Sequence, residues 1–231
     1  MKRFLLIFFL CATSVFGQVV YDSFTDATST PLTSHTTDTG QTWSLQVDPV
    51  FTIQNASTFP TATGTVANLG NGSTQSGEFA YVESGIADVD IECYVRTGNS
   101  PSNKFPGIVF RHSTGENALI AAIGTDDVLY LQKMETGVIT DENTVNVGFD
   151  VGFLEEYKLR VVAIGSAITV TLTCLSGSAG GCVTVNLSDV ITFNQTETKH
   201  GIYGRDLTDQ YDDFTVNQVG SWPVRRRGLR R

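Results

Sequence analysis

The sequence predicts an all-β fold, built as a sandwich of two antiparallel sheets. Threonine, valine and aromatic residues are abundant, and glycine occurs 22 times among 231 residues. β-Branched and aromatic side chains favour strands, whereas long stretches of helix-favouring residues are missing. Short segments alternate apolar and polar side chains with the period of a strand, and turns rich in glycine and asparagine separate them. Many short strands at this spacing predict two packed sheets, in a sandwich or jelly roll.

The predicted strands follow one another through most of the chain. The segment 168–173 is the clearest example, because its isoleucine, valine and leucine face one way and its three threonines face the other. A helical turn is predicted only at 188–191, and two long loops are predicted at 26–40 and 136–152. The strands are predicted at 19–25, 43–47, 51–54, 64–69, 78–82, 88–96, 107–112, 118–123, 128–134, 157–164, 168–173, 183–187, 200–205 and 211–218.

Both ends of the chain differ in composition from its body. Residues 1–17 begin with a basic pair, continue with an apolar run and end on small residues, which predicts a cleaved signal peptide and a secreted or cell-surface protein. The apolar run is shorter than the roughly 20 residues that a membrane span needs. Residues 18–219 are predicted to form one jelly-roll domain. Residues 220–231 form a basic tail that is either a solubilising end or a contact with an anionic surface.

The predicted domain is strongly acidic. All 24 acidic residues but only 8 of the 15 basic ones lie between residues 18 and 224, which gives this stretch a net charge of −16. Such a charge argues against nucleic-acid binding by the domain, because the phosphate backbone would be repelled. It also supplies carboxylates for hard cations such as Ca²⁺.

Three cysteines remain after the predicted cleavage. Cys174 and Cys182 bracket a small loop between two predicted strands, so a disulfide is predicted to close this hairpin. Cys93 lies on the apolar face of its strand, which predicts a buried free thiol that packs as a small hydrophobic residue.

The segment 87–113 holds the candidate ligand-binding residues. Alternation places Asp90, Glu92 and Tyr94 on one face of the first strand, and Arg111 follows in the second strand. Planar polar groups and an aromatic ring are the side chains that bind sugars, so these four residues are predicted to line one hollow. A structural ion pair from Arg111 to Glu92 or Asp90 is an equally supported interpretation, and both remain open.

Three segments resemble the concanavalin A-like lectin/glucanase superfamily, including laminin-G-like modules. They are the opening YDSF at 21–24, the segment 107–133 with GIVFR, NALI and LYLQK, and the closing segment 201–216 with GIYG and YDDFTV. They occur in the expected order and cover nearly all of 19–218. The resemblance implies a concanavalin A-like jelly roll of two antiparallel sheets, in which the first and last strands lie side by side.

The resemblance also implies a structural calcium ion. In that superfamily the closing Asp-x-Phe-x-Val often helps to hold Ca²⁺ against the first strand. Asp212 matches the ligand position, and Asp22 lies in the opening motif. Ser23 stands where the glucanases have a carboxylate, which removes one of the family's ligands. The metal ligands that the resemblance still implies are Asp22 and Asp212.

A catalytic interpretation rests on Asp88, Asp90 and Glu92. Laminarinase-like members of the superfamily use Glu-x-Asp-x-Glu on one strand, and this chain has Asp-Val-Asp-Ile-Glu. A retaining pair needs its carboxyl groups about 5–5.5 Å apart. The Cα atoms of Asp88 and Glu92 would be roughly 13 Å apart along a strand, and Asp88 is one methylene shorter than the family's glutamate. Catalysis is therefore not the favoured interpretation.

The sequence thus predicts a secreted carbohydrate-binding or surface-adhesion module without catalysis. A glycoside hydrolase of the laminarinase or keto-disaccharide hydrolase type is the first alternative. The second is a structural or envelope protein that uses the sandwich for protein contacts. Four N-glycosylation sequons begin at Asn55, Asn71, Asn186 and Asn194.

Overall fold

Strands make up almost all of the regular structure. The computed structural model describes residues 18–46, 51–55, 65–69, 77–98, 105–175, 183–205 and 208–219. These residues form fifteen strands and one 3-10 turn, Leu32–Ser34. The strands are β1 (Gln18–Asp22), β2 (Ser44–Leu45), β3 (Phe51–Asn55), β4 (Thr65–Leu69), β5 (Glu78–Glu83), β6 (Val89–Arg96), β7 (Gly107–Ser113), β8 (Asn117–Ile123), β9 (Val128–Glu135), β10 (Val138–Asn146), β11 (Glu156–Ile164), β12 (Ala167–Cys174), β13 (Thr184–Val190), β14 (Lys199–Gly204) and β15 (Gln210–Gln218).

The strands form two antiparallel sheets that pack face to face, which confirms the predicted jelly-roll sandwich. One sheet has eight strands in the order β13-β12-β11-β6-β15-β4-β3, with β1 paired to β15. The other has seven strands in the order β10-β9-β8-β7-β14-β5-β2. Tyr21 of β1 lies opposite Thr215 of β15, so the first and last strands are neighbours. This pairing places residues from both ends of the domain on one surface.

The main core lies between the two sheets. The inward residues Val89, Ile91, Cys93 and Val95 of β6 are buried there, as alternation predicts, and they pack in one cluster with Phe110 of β7. Each fully buried aliphatic or aromatic side chain contributes about 1.5–3 kcal/mol through removal of apolar surface from water. A smaller buried cluster, which includes Val109, lies on the other face of the seven-stranded sheet. The alternating residues of β6 that are not in the core are therefore presented on the outer face of the eight-stranded sheet.

Two segments differ from the sequence prediction. The predicted loop 136–152 contains strand β10, and the predicted helical turn 188–191 overlaps the end of β13, where Ser188 pairs with Thr169. β10 is an edge strand with mostly exposed polar side chains, so its sequence has little apolar alternation. In both places the ladder to a neighbouring strand determines the conformation, and local residue preference does not.

The predicted signal peptide, residues 1–17, and the predicted basic tail, residues 220–231, lie outside the described residues. Both therefore stay predictions. No helix within the described part of the chain is long and apolar enough to cross a membrane.

Candidate functional site

The outer face of the eight-stranded sheet presents Asp90, Glu92 and Tyr94, as predicted from their alternation on β6. All three side chains are partly exposed. The neighbouring strand β11 places Lys158 opposite Tyr94 and Arg160 opposite Glu92. The structure thus brings three of the four predicted binding residues together, and it adds two basic side chains that the prediction did not include.

Ion pairs hold these side chains in place. Arg160 binds Asp90 with two hydrogen bonds, from Nε to Oδ1 at 2.7 Å and from Nη2 to Oδ2 at 2.6 Å. The ammonium of Lys158 lies 2.6 Å from Oε2 of Glu92 and 5.9 Å from the ring centre of Tyr94. Exposed ion pairs add little stability, typically 0–1 kcal/mol, so their main effect here is to fix the geometry. Both carboxylates of the surface are therefore held by basic partners.

A cleft of about 240 Å³ opens beside these residues. Strands β1, β6, β11 and β15 contribute its side chains, and we call it the tyrosine cleft; its polar and aromatic lining is Tyr21, Glu92, Tyr94, Lys158, Asp213 and Thr215. Aromatic rings that flank carboxylate, hydroxyl and ammonium groups can pack against the apolar side of a sugar and hydrogen-bond its hydroxyls. The lining therefore has the chemistry of a small glycan site.

Tyr21 is one of the cleft residues that were not predicted from the sequence; the others are Lys158, Asp213 and Thr215. The hydroxyl of Tyr21 donates a 2.8 Å hydrogen bond to Oδ1 of Asp213. That bond, together with burial and nearby acidic charges, raises the pKa of Tyr21 to about 12, so the phenol stays protonated at neutral pH. The sequence signal was the resemblance-based pairing of the first and last strands, which brings Tyr21 next to β15 and hence next to β6.

Arg111 does not join the other three predicted binding residues. It lies on β7 in the opposite sheet, and its side chain is fully buried. Its guanidinium donates from Nη1 to the carbonyl of Gly165 at 2.6 Å and from Nε to the carbonyl of Ala87 at 3.3 Å. The expected ion pair to Glu92 or Asp90 is replaced by one to Asp88, with Nη2 3.4 Å from Oδ1. The single hollow that the sequence predicted for all four residues is therefore not formed.

Arg111 is separated from the other three residues because β6 pairs with β11 and β15 in one sheet, whereas β7 pairs with β8 and β14 in the other. A β-bulge then sets the local conformation of Arg111. The pairing of β7 with β8 shifts register between Phe110 and Ser113, and Arg111 has a φ of 52° in the left-handed region. Its backbone N–H donates to Nδ1 of buried His200 at 3.2 Å. Residues other than glycine hold such a conformation only where their surroundings fix it, at a cost of about 1–3 kcal/mol. The bulge breaks the two-residue alternation on which the prediction for Arg111 depended.

The three carboxylates of the catalytic interpretation do not line one cleft. Glu92 lines the tyrosine cleft, whereas Asp88 lies in the turn before β6 and lines a different groove. Oδ1 of Asp88 accepts a 2.7 Å hydrogen bond from the backbone N–H of Gly165 in addition to its contact with Arg111. Asp88 therefore supports a turn, and it does not share a cleft with Glu92, its partner in the catalytic interpretation.

The predicted calcium ligands lie near the β1–β15 pairing. Asp22 is fully buried, and its carboxylate already accepts three N–H groups: from the backbone of Phe24 at 2.7 Å, from His35 at 2.8 Å and from the indole of Trp43 at 2.5 Å. Among the described residues no group of three or more histidine, cysteine or acidic side chains is placed to hold a metal ion. Asp22 therefore fits the predicted role poorly.

Asp212 fits that role better. It is almost completely buried, and burial, followed by the charge of Asp213, raises its pKa to about 7; Asp22 adds to this shift. A carboxylate held close to other acidic groups is the kind of oxygen ligand that Ca²⁺ prefers, because a cation would offset their mutual repulsion. Calcium binding stays a prediction that rests on Asp212.

The cysteine predictions have different outcomes. Cys93 is a free thiol buried in the main core, as predicted, and burial raises its pKa well above the ordinary value. Cys174 ends strand β12, but Cys182 lies outside the described residues. The disulfide between them stays a prediction.

A second aromatic surface lies on the outer face of the seven-stranded sheet. The ring of His112 lies 4.9 Å from Phe79 and 4.5 Å from Tyr81, and Lys199 lies 5.5 Å from the centre of the Tyr81 ring. Phe79 is fully buried and His112 nearly so, while Tyr81 is partly exposed. The alternation of β5 places both Phe79 and Tyr81 on this face, but the sequence analysis made no prediction for it.

No family model matches the sequence, and no curated protein matches it significantly. Among solved structures, a mutant of the GH43 protein BlXynB from Bacillus licheniformis is similar with a TM-score of 0.52 and 11% identity, over 86% of this chain and 39% of that chain. The carbohydrate-binding module CBM66 from Bacillus subtilis has a TM-score of 0.47 and 15% identity, over 76% of this chain and 91% of that one. Winged bean acidic lectin, bound to methyl-α-D-galactose, has a TM-score of 0.48 and 10% identity, over 81% and 96%. The likeness to the GH43 protein, together with the two-sheet topology and the pairing of the end strands, shows that the chain has the two-sheet jelly-roll fold that the resemblance implies.

Proposed function

We propose that this chain is an exported carbohydrate-binding module that holds glycan at the tyrosine cleft without cleaving it. The observation that supports the proposal is the placement of Tyr21 and Tyr94 beside Glu92, Lys158 and Thr215 in one open cleft. Tyrosine rings supply apolar faces at low entropic cost, and the carboxylate, ammonium and hydroxyl groups supply directed hydrogen bonds. The signal peptide predicted in residues 1–17 would agree with an extracellular glycan as the ligand.

The absence of catalysis in this proposal follows from how the carboxylates are held. Asp90 is bound by Arg160 through two hydrogen bonds, and Glu92 is bound by Lys158. An inverting or retaining glycosidase needs one carboxyl group that donates a proton and a second one facing it across the sugar. Asp88, the third candidate, supports a turn at another groove. A binding role needs none of these features.

A glycan array with matched variants tests the proposal. Tyr94→Ala removes a ring from the tyrosine cleft, and Tyr81→Ala removes a ring from the opposite sheet; each ring lies beside a lysine, at 5.9 and 5.5 Å. We expect the wild-type protein and Tyr81→Ala to bind the same glycans and Tyr94→Ala to lose at least about tenfold in affinity, because a buried aromatic contact contributes more than 1 kcal/mol. Melting temperatures establish that each variant folds.

Four results would contradict the proposal. Unchanged array binding by a folded Tyr94→Ala would remove the tyrosine cleft from the site, and loss of binding in Tyr81→Ala alone would transfer the site to the other sheet. If the wild-type protein binds no glycan and releases no sugar, the remaining alternative is a structural or envelope protein. Release of sugar from a polysaccharide would instead favour the hydrolase alternative.

A further inference from the structure

A second and larger hollow lies at one end of the sandwich. We call it the end groove; it has a volume of about 620 Å³, and its polar side chains include Asp88, Gln195, Thr196 and Gln218. Turns at the ends of β5, β11 and β15 and the loop before β14 meet there. The volume falls in the range of about 300–1,000 Å³ that ligand sites have. Amide and hydroxyl groups that line such a groove are suited to hydrogen-bonding the hydroxyls of a sugar.

The end groove and the tyrosine cleft lie at successive positions along the same two strands. Asp88 of the end groove precedes β6, and Glu92 of the tyrosine cleft lies four residues further on, a distance of about 13 Å along a strand. On the adjacent strand β15, Thr215 lies in the cleft opposite Glu92. Gln218, opposite Val89 at the end of the strand, faces the other side and lies in the end groove, at the end of the sandwich. Asp90, which pairs in register with Asn217, lies between the two hollows.

The carboxylates along this line outnumber the basic side chains by one, because Asp213 is hydrogen-bonded to the hydroxyl of Tyr21. Asp90 and Glu92 are paired with Arg160 and Lys158, and Asp88 is paired with the buried guanidinium of Arg111. The whole stretch between residues 18 and 224 nevertheless has a net charge of −16. An anionic polysaccharide would meet this repulsive field and find no unpaired basic side chain among these residues to offset it. The ligand that fits is an uncharged one.

We propose that the end groove continues the tyrosine cleft, so that the protein binds an internal stretch of a linear, uncharged polysaccharide along β6. This inference rests on the proposed glycan-binding function and adds the chain length and charge of the ligand. Tyr21 and Tyr94 hold one part of the polysaccharide, and Gln195, Thr196 and Gln218 hold another. Because the two hollows bind parts of one molecule, affinity increases with chain length until both are filled.

The test begins with affinity electrophoresis of the full-length mature protein. The gels contain neutral polysaccharides (laminarin, xylan or mannan) or anionic ones (alginate or polygalacturonate). We expect retardation by at least one neutral polysaccharide and by neither anionic one. Calorimetry then follows binding of an oligosaccharide series, from the disaccharide to the hexasaccharide, prepared from the polysaccharide that binds. We expect affinity to increase by about tenfold or more across the series, the equivalent of about 1.4 kcal/mol.

Variants separate this inference from the proposed function. Thr196→Ala combined with Gln218→Ala removes two hydrogen-bonding groups of the end groove, and Thr171→Ala removes a hydroxyl from β12, two strands away from β6 on the eight-stranded sheet. We expect the double variant to weaken binding of the hexasaccharide about tenfold while leaving the disaccharide unchanged. Thr171→Ala should change neither. Tyr94→Ala should weaken both.

The possible results have distinct meanings. If Tyr94→Ala abolishes binding but the affinity of the wild-type protein does not depend on oligosaccharide length, the tyrosine cleft acts alone and this inference is overturned. Normal binding of the hexasaccharide by the double variant would overturn it in the same way. Stronger retardation by alginate or polygalacturonate would overturn the assignment of an uncharged ligand. If the wild-type protein binds short glycans on the array but is retarded by none of the polysaccharides, this inference is overturned and the proposed function stands. If it binds neither, both are overturned.

Discussion

The guanidinium of Arg111 lies 3.4 Å from the carboxylate of Asp88, on the inner side of the turn that precedes β6. Arg111 comes from the seven-stranded sheet and Asp88 from a turn of the eight-stranded sheet, so the contact links the two layers at one end of the sandwich. The same guanidinium donates to the carbonyls of Ala87 and Gly165. Arg111 therefore stabilises the turns that form the end groove.

Replacement of Arg111 is expected to destabilise the protein. Arg111→Met keeps much of the apolar stem but leaves the carbonyls of Ala87 and Gly165 without their donor. Both carbonyls are partly buried, and a hydrogen bond from a charged donor contributes about 1.5–3 kcal/mol, so we expect the free energy of unfolding in urea to fall by about 2–3 kcal/mol. Arg160→Met, which removes a more exposed arginine, is the control and should cost less than about 1 kcal/mol. Equal stability of the two variants would contradict the structural role of Arg111.

Asp212 gives the predicted calcium site a pH dependence. Burial, followed by the charge of Asp213, raises the pKa of Asp212 from its ordinary value of 3.8 to about 7. The protonated carboxyl of Asp212 therefore contributes fully to stability below pH 3.8, and this contribution is lost as the pH rises to about 7. At pH 8 the charged carboxylate is repelled by its acidic neighbours, and a bound Ca²⁺ would offset this repulsion. We expect millimolar Ca²⁺ to raise the melting temperature at pH 8 and to have a smaller effect at pH 5.

Asp212→Asn provides the control for this experiment. The variant should be more stable than the wild type at pH 8 in EDTA, by about 1–2 kcal/mol, and it should lose the response to calcium. Identical wild-type melting temperatures in EDTA and in Ca²⁺ at pH 8 would rule out the predicted site.

His35 is expected to make stability fall as the pH rises. Burial lowers its pKa, but hydrogen bonds and charge from Asp22 and Asp26 outweigh burial, and the pKa is raised above the ordinary 6.5. The contribution of the protonated ring is therefore complete below about pH 6.5 and is lost as the pH rises through the raised value. The difference in unfolding free energy between wild type and His35→Gln should therefore be larger at pH 5.5 than at pH 8. A difference that does not change with pH would contradict this role of His35.

Asn194 is expected to remain unmodified although it begins a sequon. Its side-chain nitrogen donates to the carbonyls of Arg111 and Asn117 at 3.1 and 3.2 Å and to the hydroxyl of Ser113 at 3.3 Å. A glycan on this nitrogen would break these contacts. Asn194→Ala should lower the free energy of unfolding by about 1–3 kcal/mol, whereas Thr196→Ala, which also destroys the sequon, should have a smaller effect. Mass spectrometry of folded protein from a glycosylating host that finds a glycan on Asn194 would contradict this prediction.

The binding proposal predicts that the protein releases no sugar. We expect no reducing ends from β-glucan, xylan or mannan with wild-type protein, because Glu92 is held by Lys158 and Asp88 lines a different groove. Glu92→Gln serves as the control for contaminating activity. Release by the wild type that disappears in Glu92→Gln would establish the hydrolase alternative and overturn the non-catalytic part of the proposal.

Strand periodicity was sufficient to predict the fold class and much of the candidate surface. The alternation of 88–96 correctly placed Val89, Ile91 and Cys93 in the core and Asp90, Glu92 and Tyr94 on the outer face. The same reasoning failed for β10, whose polar edge sequence lacks an apolar face, and for 188–191, whose strand pairing overrides local preference. Periodicity detects only strands that have one buried face.

The local alternation of side chains can be read from the amino-acid sequence alone, because the two-residue period of a strand depends only on backbone geometry. Which strands become neighbours, and in what register, was decided by the tertiary structure. The pairing of β1, β15, β6 and β11 brings Tyr21, Asp213 and Lys158 to Tyr94, although these residues are distant in the chain. At the bulge, the backbone N–H of Arg111 donates a hydrogen bond to His200 of another strand. Because a one-residue change of register transfers a side chain to the opposite face, such a bulge cannot be placed from local alternation alone.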